Sequence, residues 1–320
     1  MDWYNFLTSS SYTRSSWRTT DGEGKQNMRW NKRKEVALTK SILVWDLEDY
    51  ERGEFMVRKN KVRILVFGLS GHGKTSLLSS FTTALKKRVV HTGLCGERDE
   101  GVDKVVIKPA MKIDKQEVFF TFVDMPCLED ETDHALAHGE KRDEDTPLIT
   151  EDYLKAAMQG NIEDGAVQLK EHKAPRKRSE NYYNVQSYTN KICCAVVVIK
   201  SGQQLTDDIR KQLNLVFRAA ADSKIQVHIV LTNIDVSHPD LKFPTYLKNV
   251  FWSKKIQKDV QDMSKQLWGI AENCIHPVLT YTSETESNTE MNVLLLYTLR
   301  NILNDATQHA ETLIQDSLNR

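Results

Sequence analysis

The sequence predicts an α/β fold of three layers, in which helices cover both faces of a mostly parallel sheet. The first observation is that near-continuous apolar runs, such as residues 192–200 and 226–235, are typical of strands buried on both faces. The second is that helical patterns alternate with these runs, as between Asp207 and Ala221. The third is a glycine-rich loop that joins the first apolar run, residues 62–67, to a helical pattern.

The glycine-rich loop reads "GLSGHGKT" from Gly68 to Thr75. It has the spacing of the phosphate-binding P-loop, G-x-x-x-x-G-K-[ST]. Glycines allow backbone N–H groups to turn inward around an anion, and the N-terminus of the following helix favours negative charge. We expect Lys74 to contact the β- and γ-phosphates and the Thr75 hydroxyl to bind Mg²⁺. The predicted phosphate-binding residues are Gly68, Ser70, Gly71, His72, Gly73, Lys74, Thr75 and Ser76.

Two further strand patterns follow, at residues 104–108 and 117–124. The second of them, "EVFFTFVD", ends in Asp124. A carboxylate at the end of a buried strand can hold Mg²⁺ directly or through water, although it can also simply face solvent. The predicted metal ligands are therefore Thr75 and Asp124.

The later strands end in residues that are suited to recognising a base. In "IVLTNID", Thr232, Asn233 and Asp235 are similar to the N/T-K-x-D guanine signature, with Asn233 at the position of the lysine. A carboxylate there accepts two hydrogen bonds from the guanine edge, which adenine cannot donate. An ordinary strand-end turn is the other interpretation. Thr282 and Ser283, after the last strand pattern, are predicted to offer backbone contacts to the base.

The chain is predicted to have three parts. Residues 1–60 form a partly flexible N-terminal extension, 61–306 a P-loop domain, and 307–320 a helical tail. Within the domain, residues 128–191 are polar and are predicted to be an insertion or switch region. Ser287 and Glu290 have the spacing of a capping box, which predicts the start of the last helix.

The composition excludes several classes of function. The chain has 44 basic and 44 acidic residues, so no nucleic-acid binding is expected. The longest wholly apolar run, residues 192–199, is too short to span a bilayer, and "MDWYNFLTSS" is a poor secretory leader. The five cysteines are scattered, odd in number and form no C-x-x-C pair; the odd, scattered count indicates reduced thiols and a cytoplasmic location.

The order of these motifs is that of a dynamin-, septin- or Ras-type GTPase domain. Stretches outside the P-loop resemble the interferon-induced protein 44 family, namely "LKAAMQGNIED", "NKICCAVVVIKSG", "HIVLTNIDVSHP" and "LWGIAENCIHPVLTYTSETESNTEMNVLLLYTLRNIL". The resemblance covers about residues 16 to 305. It implies a cytoplasmic P-loop GTPase-like protein with a role in innate immune and antiviral responses, and the motifs above predict GTP or GDP and Mg²⁺ as its ligands.

Three departures from the GTPase pattern concern hydrolysis. Cys127 stands in place of the D-x-x-G glycine, whose N–H meets the γ-phosphate. Leu128 stands where a glutamine would orient the attacking water. Residues 98–100, "RDE", replace the threonine expected in the first switch. Slow or absent GTP hydrolysis is therefore expected, and no catalytic residue is assigned.

The sequence leaves four functions open. The preferred one is a guanine-nucleotide-binding protein that acts through its binding state and through protein partners, which the sequence does not identify. A competent GTPase activated by a partner, or by a second copy in a homodimer, is the second. The third is an ATP-using P-loop kinase with residues 176–178, "RKR", as a basic lid, in which Asp235 has no role. A scaffold that keeps the fold without nucleotide is the fourth.

Overall fold

The computed structural model describes residues 18, 30–43, 62–90, 106–107, 112–113, 116–125, 127–128, 150–161 and 190–318. The strands are β1 (Val62–Gly68), β2 (Val106–Ile107), β3 (Lys112–Ile113), β4 (Gln116–Glu117), β5 (Phe120–Asp124), β6 (Ile192–Lys200), β7 (Gln226–Thr232) and β8 (Ile275–Pro277). The α-helices are α1 (Lys32–Leu43), α2 (Lys74–Lys86), α3 (Glu151–Met158), α4 (Asp207–Asp222), α5 (Ile234–Ser237), α6 (Lys254–Gln266) and α7 (Thr289–Leu318). Short 3₁₀ helices cover Pro239–Lys242, Pro244–Trp252 and Glu272–Cys274.

The main sheet has the strand order β2-β5-β1-β6-β7-β8. Its strands are parallel except β2, which pairs antiparallel with β5 at the edge. β3 and β4 form a separate antiparallel pair. Because β1 is central and parallel to its neighbours, the carboxyl ends of β5, β1, β6 and β7 meet at one edge of the sheet. This confirms the predicted α/β fold of the P-loop GTPase-like class.

Two apolar cores lie on opposite faces of the sheet, and the alternation along β1 shows how they are built. Ile64 and Val66 belong to the core that also contains Leu77 and Phe81 of α2, together with residues of α1 and α7. Leu65 and Phe67 of the same strand belong to the other core, which α3, α4 and α6 cover. Every one of these strand residues is at most 1% exposed, which explains the unbroken apolar runs in the sequence.

The helix α1, within the predicted N-terminal extension, packs against α7. Its Glu35 is fully buried, and the Glu35 carboxylate accepts a hydrogen bond of 2.8 Å from Asn292 Nδ2 and lies 2.8 Å from Lys32 Nζ. A buried carboxylate needs such partners, and here they come from both helices. The predicted division at residue 60 remains a prediction, while α7 continues through the predicted division at residue 306.

The last helix, α7, begins with a different cap from the one predicted. Asn288 Oδ1 accepts the N–H groups of Glu290 and Met291 at 2.9 and 3.1 Å, which makes Asn288 the capping residue. The predicted Ser287 capping box is therefore wrong, because the Ser287 hydroxyl instead donates to the Lys87 carbonyl at 2.9 Å. In the part of the chain that the structure describes, neither α7 nor any other helix is long and apolar enough to cross a membrane.

Candidate functional site

The loop between β1 and α2 is shaped by two glycines with different roles. Gly73, the residue before α2, has φ +83°, a conformation that side chains disfavour, and no side chain caps the helix there. A Cβ on Gly68 would lie 3.3 Å from the Val198 carbonyl oxygen, so glycine lets the loop pass close to β6. The first N–H groups of a helix have no partner inside it. The N-terminus of α2 therefore presents backbone donors without a side-chain cap.

The middle of the loop is anchored to the neighbouring strands through His72. The Thr232 hydroxyl, which is fully buried at the end of β7, donates to the His72 carbonyl at 2.8 Å. The backbone N–H of Lys200, at the end of β6, donates to His72 Nδ1 at 3.1 Å. His72 N–H donates to the Leu69 carbonyl at 3.1 Å. Thr232 and the His72 imidazole thus hold the loop in shape.

The His72 imidazole is held in its neutral form by this environment. Burial, together with the nearby Lys200 charge, lowers the pKa of His72 from 6.5 to about 4. The hydrogen bond from Lys200 N–H requires Nδ1 to be an acceptor, which is consistent with a neutral ring. Protonation would place a charge in a buried site and remove that acceptor.

We expect the loop to weaken in acid because of His72. The pKa of His72 is lower in the folded chain, so its contribution to stability is present above pH 6.5 and is lost as the pH falls toward 4. That contribution is about 3 kcal/mol at most. In His72→Asn the amide oxygen can replace Nδ1 as acceptor without titrating. Urea unfolding from pH 7 to 4 should show a shallower loss of unfolding free energy for His72→Asn than for the unsubstituted chain, and equal slopes would contradict this.

Lys74 and Asp124 form an ion pair between α2 and the end of β5, although they are 50 positions apart in the sequence. Lys74 Nζ lies 3.1 Å from Asp124 Oδ1 and also donates to the Met125 carbonyl. The Lys74 side chain is 10% exposed and the Asp124 side chain 13% exposed, so the pair is largely removed from solvent. Thr75 follows in the first turn of α2 and is half-buried. A hydroxyl and a carboxylate oxygen are donors that Mg²⁺ accepts alongside water, so the two predicted metal ligands fit that ion.

The segment after Asp124 is bonded to the glycine loop by its backbone. Leu128 N–H donates to the Gly68 carbonyl at 2.9 Å, and Ser70 N–H donates to the Leu128 carbonyl at 3.3 Å. The Leu128 side chain is 1% exposed and lies in an apolar core. The backbone of Leu128 is therefore hydrogen-bonded to the glycine loop, and its side chain is packed in the core. The predicted first-switch residues 98–100 lie outside the described residues.

Of the predicted base-recognition residues, Thr232 ends β7, and the other four lie beyond the ends of β7 and β8. Asn233 adopts φ 55°, a left-handed conformation in which asparagine is enriched, and Asp235 is half-buried in the first turn of α5. Thr282 and Ser283 are exposed, and their N–H groups donate to Glu284 Oε2 at 2.7 and 3.1 Å. The two amides predicted to meet the base are thus bonded to a carboxylate of their own loop.

Three residues that sequence analysis did not single out contribute to this site. Met125 and Lys200 contribute through the backbone, which no motif reveals. Glu284 contributes a carboxylate, and its only sequence signal is an acid two residues after Thr282.

The chain is similar in sequence to proteins from two primates. It is 24% identical over 281 residues to interferon-induced protein 44 from Homo sapiens, and 24% identical over 281 residues to the same protein from Pan troglodytes. Each match covers 87% of this chain. The predicted family resemblance is confirmed. The chain spans 59% of the length of these relatives. No protein-family model matches the chain.

Solved structures that match the chain include Toc33 from Arabidopsis thaliana in complex with GDP and Mg²⁺, at 14% identity and a TM-score of 0.38, covering 86% of this chain and 91% of that one. GDP-bound aIF5B from Aeropyrum pernix has 13% identity and a TM-score of 0.36, covering 76% of this chain and 36% of that one. The fold class of this chain is assigned from its own strand order.

Proposed function

We propose that this chain binds a guanine nucleotide together with Mg²⁺ at residues 68–76, and that it hydrolyses GTP slowly or not at all. The observation that carries the proposal is the largely buried Lys74 ammonium group at the uncapped N-terminus of α2. Backbone donors, a helix dipole and a cation then surround one position, and this combination favours a polyphosphate. Thr75 and Asp124 would hold the Mg²⁺ ion, which neutralises phosphate charge when bound.

The preference for guanine rests on Asp235. Its carboxylate lies three residues beyond Thr232, whose hydroxyl is bonded to the phosphate loop. Residues 232–235 therefore link the predicted base-recognition carboxylate to the glycine loop. A carboxylate at that position accepts hydrogen bonds from the two donors of guanine, which adenine lacks.

Slow or absent hydrolysis is supported by Leu128. Its apolar side chain is buried and cannot orient water, and its N–H is already bonded to the Gly68 carbonyl. Signalling by the bound nucleotide would then depend on binding and release. The alternative, a GTPase that a second copy or a partner completes, remains an outcome of the test below.

The resemblance to interferon-induced protein 44 supports a further part of the proposal, which is a cytoplasmic role in the innate immune and antiviral response. The chain spans 59% of the length of that relative. Any activity that requires the full length of such a protein is therefore also part of the proposal. Treating cells with interferon should raise the amount of this protein, as measured by quantitative blotting against an untreated control. An unchanged amount would contradict the immune role.

The nucleotide proposal is tested by calorimetry with GDP, GTP, a non-hydrolysable GTP analogue and ATP, each with and without Mg²⁺. We expect saturable binding of the guanine nucleotides and a loss of guanine preference in Asp235→Ala. Asp240→Ala is a matched control, because Asp240 is an exposed carboxylate five residues further on. Binding of ATP as tight as that of GTP would favour the ATP-using kinase.

The rate of GTP hydrolysis per chain, measured over a wide range of protein concentration, separates the two GTPase alternatives. A low and constant rate is expected for a binding protein. A rate per chain that rises steeply with concentration would show that a second copy completes the site, and would overturn the proposal of slow hydrolysis.

A further inference from the structure

Glu284 covers two backbone donors in the loop that follows β8. Its Oε2 atom accepts hydrogen bonds from Thr282 N–H at 2.7 Å and from Ser283 N–H at 3.1 Å. A hydrogen bond to an ionised acceptor is stronger than a neutral one. Thr282 and Ser283 are exposed, whereas Glu284 is half-buried. The carboxylate therefore occupies donors that a ligand would otherwise be able to reach.

The segment that leads into this loop is bonded to β7 and to α2, the two elements that carry the predicted base and phosphate residues. Val278 N–H donates to the Leu231 carbonyl at 2.8 Å, one residue before Thr232 at the end of β7. Tyr281 N–H donates to Ser80 Oγ at 2.8 Å, within the helix that starts at the phosphate loop. The residues that follow Tyr281 thus leave from a point fixed between β7 and α2. We expect the base of a nucleotide bound between the phosphate loop and Asp235 to lie within reach of this loop.

Guanine and adenine need opposite hydrogen-bonding partners at position 6 of the purine ring, which is the edge that the loop of residues 282–284 would contact. The six-membered ring of guanine or hypoxanthine carries a carbonyl oxygen at position 6, which accepts hydrogen bonds. Adenine carries an amino group at position 6, which donates them. A pair of backbone N–H groups therefore suits the oxo purines, and a carboxylate suits adenine.

We propose that Glu284 sets the purine selectivity of this site by competing with the 6-oxo group of the base for the Thr282 and Ser283 N–H groups. This inference rests on the proposed nucleotide binding and deepens it. While Glu284 is in place, an oxo purine must displace a charged acceptor, whereas an amino purine can donate to it. The unsubstituted chain therefore still prefers GDP to ADP through Asp235, but by a smaller factor than it would without the Glu284 carboxylate.

Calorimetry with GDP, inosine diphosphate and ADP tests this role in Glu284→Ala and Glu284→Gln. Glu286→Gln is the matched control, since Glu286 is an exposed carboxylate of the same loop. Glu284→Ala should tighten binding of GDP and inosine diphosphate about tenfold, because a charged competitor is gone, and should leave ADP unchanged or weaker. Glu284→Gln should fall between, and the control should match the unsubstituted chain. Inosine diphosphate keeps the 6-oxo group but lacks the 2-amino group, so it separates this effect from that of Asp235.

A GDP-to-ADP affinity ratio in Glu284→Ala within twofold of the unsubstituted chain would overturn the selectivity role while leaving nucleotide binding intact. If none of the three nucleotides binds the unsubstituted chain, the proposed function fails and this role fails with it. Solvent exchange of the Thr282 and Ser283 amides, measured by NMR without ligand, checks the geometry separately. Exchange should be at least about tenfold faster in Glu284→Ala than in Glu286→Gln, and equal rates would overturn the contact on which the inference depends.

Discussion

Replacing Lys74 with alanine is expected to weaken GDP binding about 100-fold, the largest effect of any single substitution in this site. Lys74 places a largely buried positive charge at the N-terminus of α2, where it would form a charge-assisted hydrogen bond to the β-phosphate. Calorimetry at increasing GDP and Mg²⁺ measures the change. Lys86→Ala, a lysine in the last turn of the same helix, is the matched control and should bind as the unsubstituted chain does.

The same substitution also removes the partner of a largely buried carboxylate. Lys74→Ala is therefore expected to lower the free energy of unfolding by about 3 kcal/mol. The double variant Lys74→Met with Asp124→Asn removes both charges with little change in volume, so it should recover much of that stability but none of the GDP affinity. Unchanged GDP affinity in a folded Lys74 variant would contradict the assignment of the loop as the phosphate site.

Asp124→Asn is expected to remove the Mg²⁺ dependence of nucleotide binding. In the unsubstituted chain Asp124 holds Lys74 at 3.1 Å, so a nucleotide without Mg²⁺ has to draw the lysine away from a carboxylate. The amide lacks that charge and is also a poorer Mg²⁺ ligand. Calorimetry in the presence of a chelator should therefore show GDP binding several-fold more tightly to Asp124→Asn than to the unsubstituted chain. Addition of Mg²⁺ should then strengthen binding only in the unsubstituted chain.

Asp259→Asn is a suitable control for Asp124→Asn, because Asp259 lies on α6 and its carboxylate accepts a hydrogen bond from the Ser201 hydroxyl at 2.6 Å. It should keep the Mg²⁺ dependence of the unsubstituted chain. If Asp124→Asn responds to Mg²⁺ as the unsubstituted chain does, then Asp124 is not the metal ligand. If it binds GDP more weakly in chelator, the ion pair with Lys74 does not compete with the nucleotide.

The elements that the sequence predicts well are those set by local patterns. The apolar run before Gly68 becomes β1, and the helical pattern from Asp207 becomes α4, with the Thr206 side chain as its cap. Backbone conformation and side-chain burial have short-range causes here, and both are visible in neighbouring residues. The glycine spacing likewise anticipates the positive φ at Gly73.

The contacts that the sequence does not reveal join residues that are far apart. Glu35 follows three basic residues in the sequence, which gives no sign that it is fully buried and hydrogen-bonded to Asn292 of α7. The sequence predicts Thr232 as part of the base-recognition motif, but it does not reveal that the Thr232 hydroxyl donates to the His72 carbonyl. The start of α7 also depends on a distant contact, because the Ser287 hydroxyl donates to the carbonyl of Lys87, just after the end of α2, and Asn288 caps the helix instead.

If the loop between β1 and α2 binds the phosphates of a nucleotide, its backbone amides should become protected when the nucleotide is bound. Amide hydrogen exchange of the chain, titrated with GDP and Mg²⁺ to millimolar concentration, measures this protection. We expect exchange to slow saturably at residues 68–76 and 232–235, and to stay unchanged in α6. A chain that remains folded by circular dichroism, but whose exchange at residues 68–76 does not change at millimolar GDP, would contradict phosphate binding by this loop.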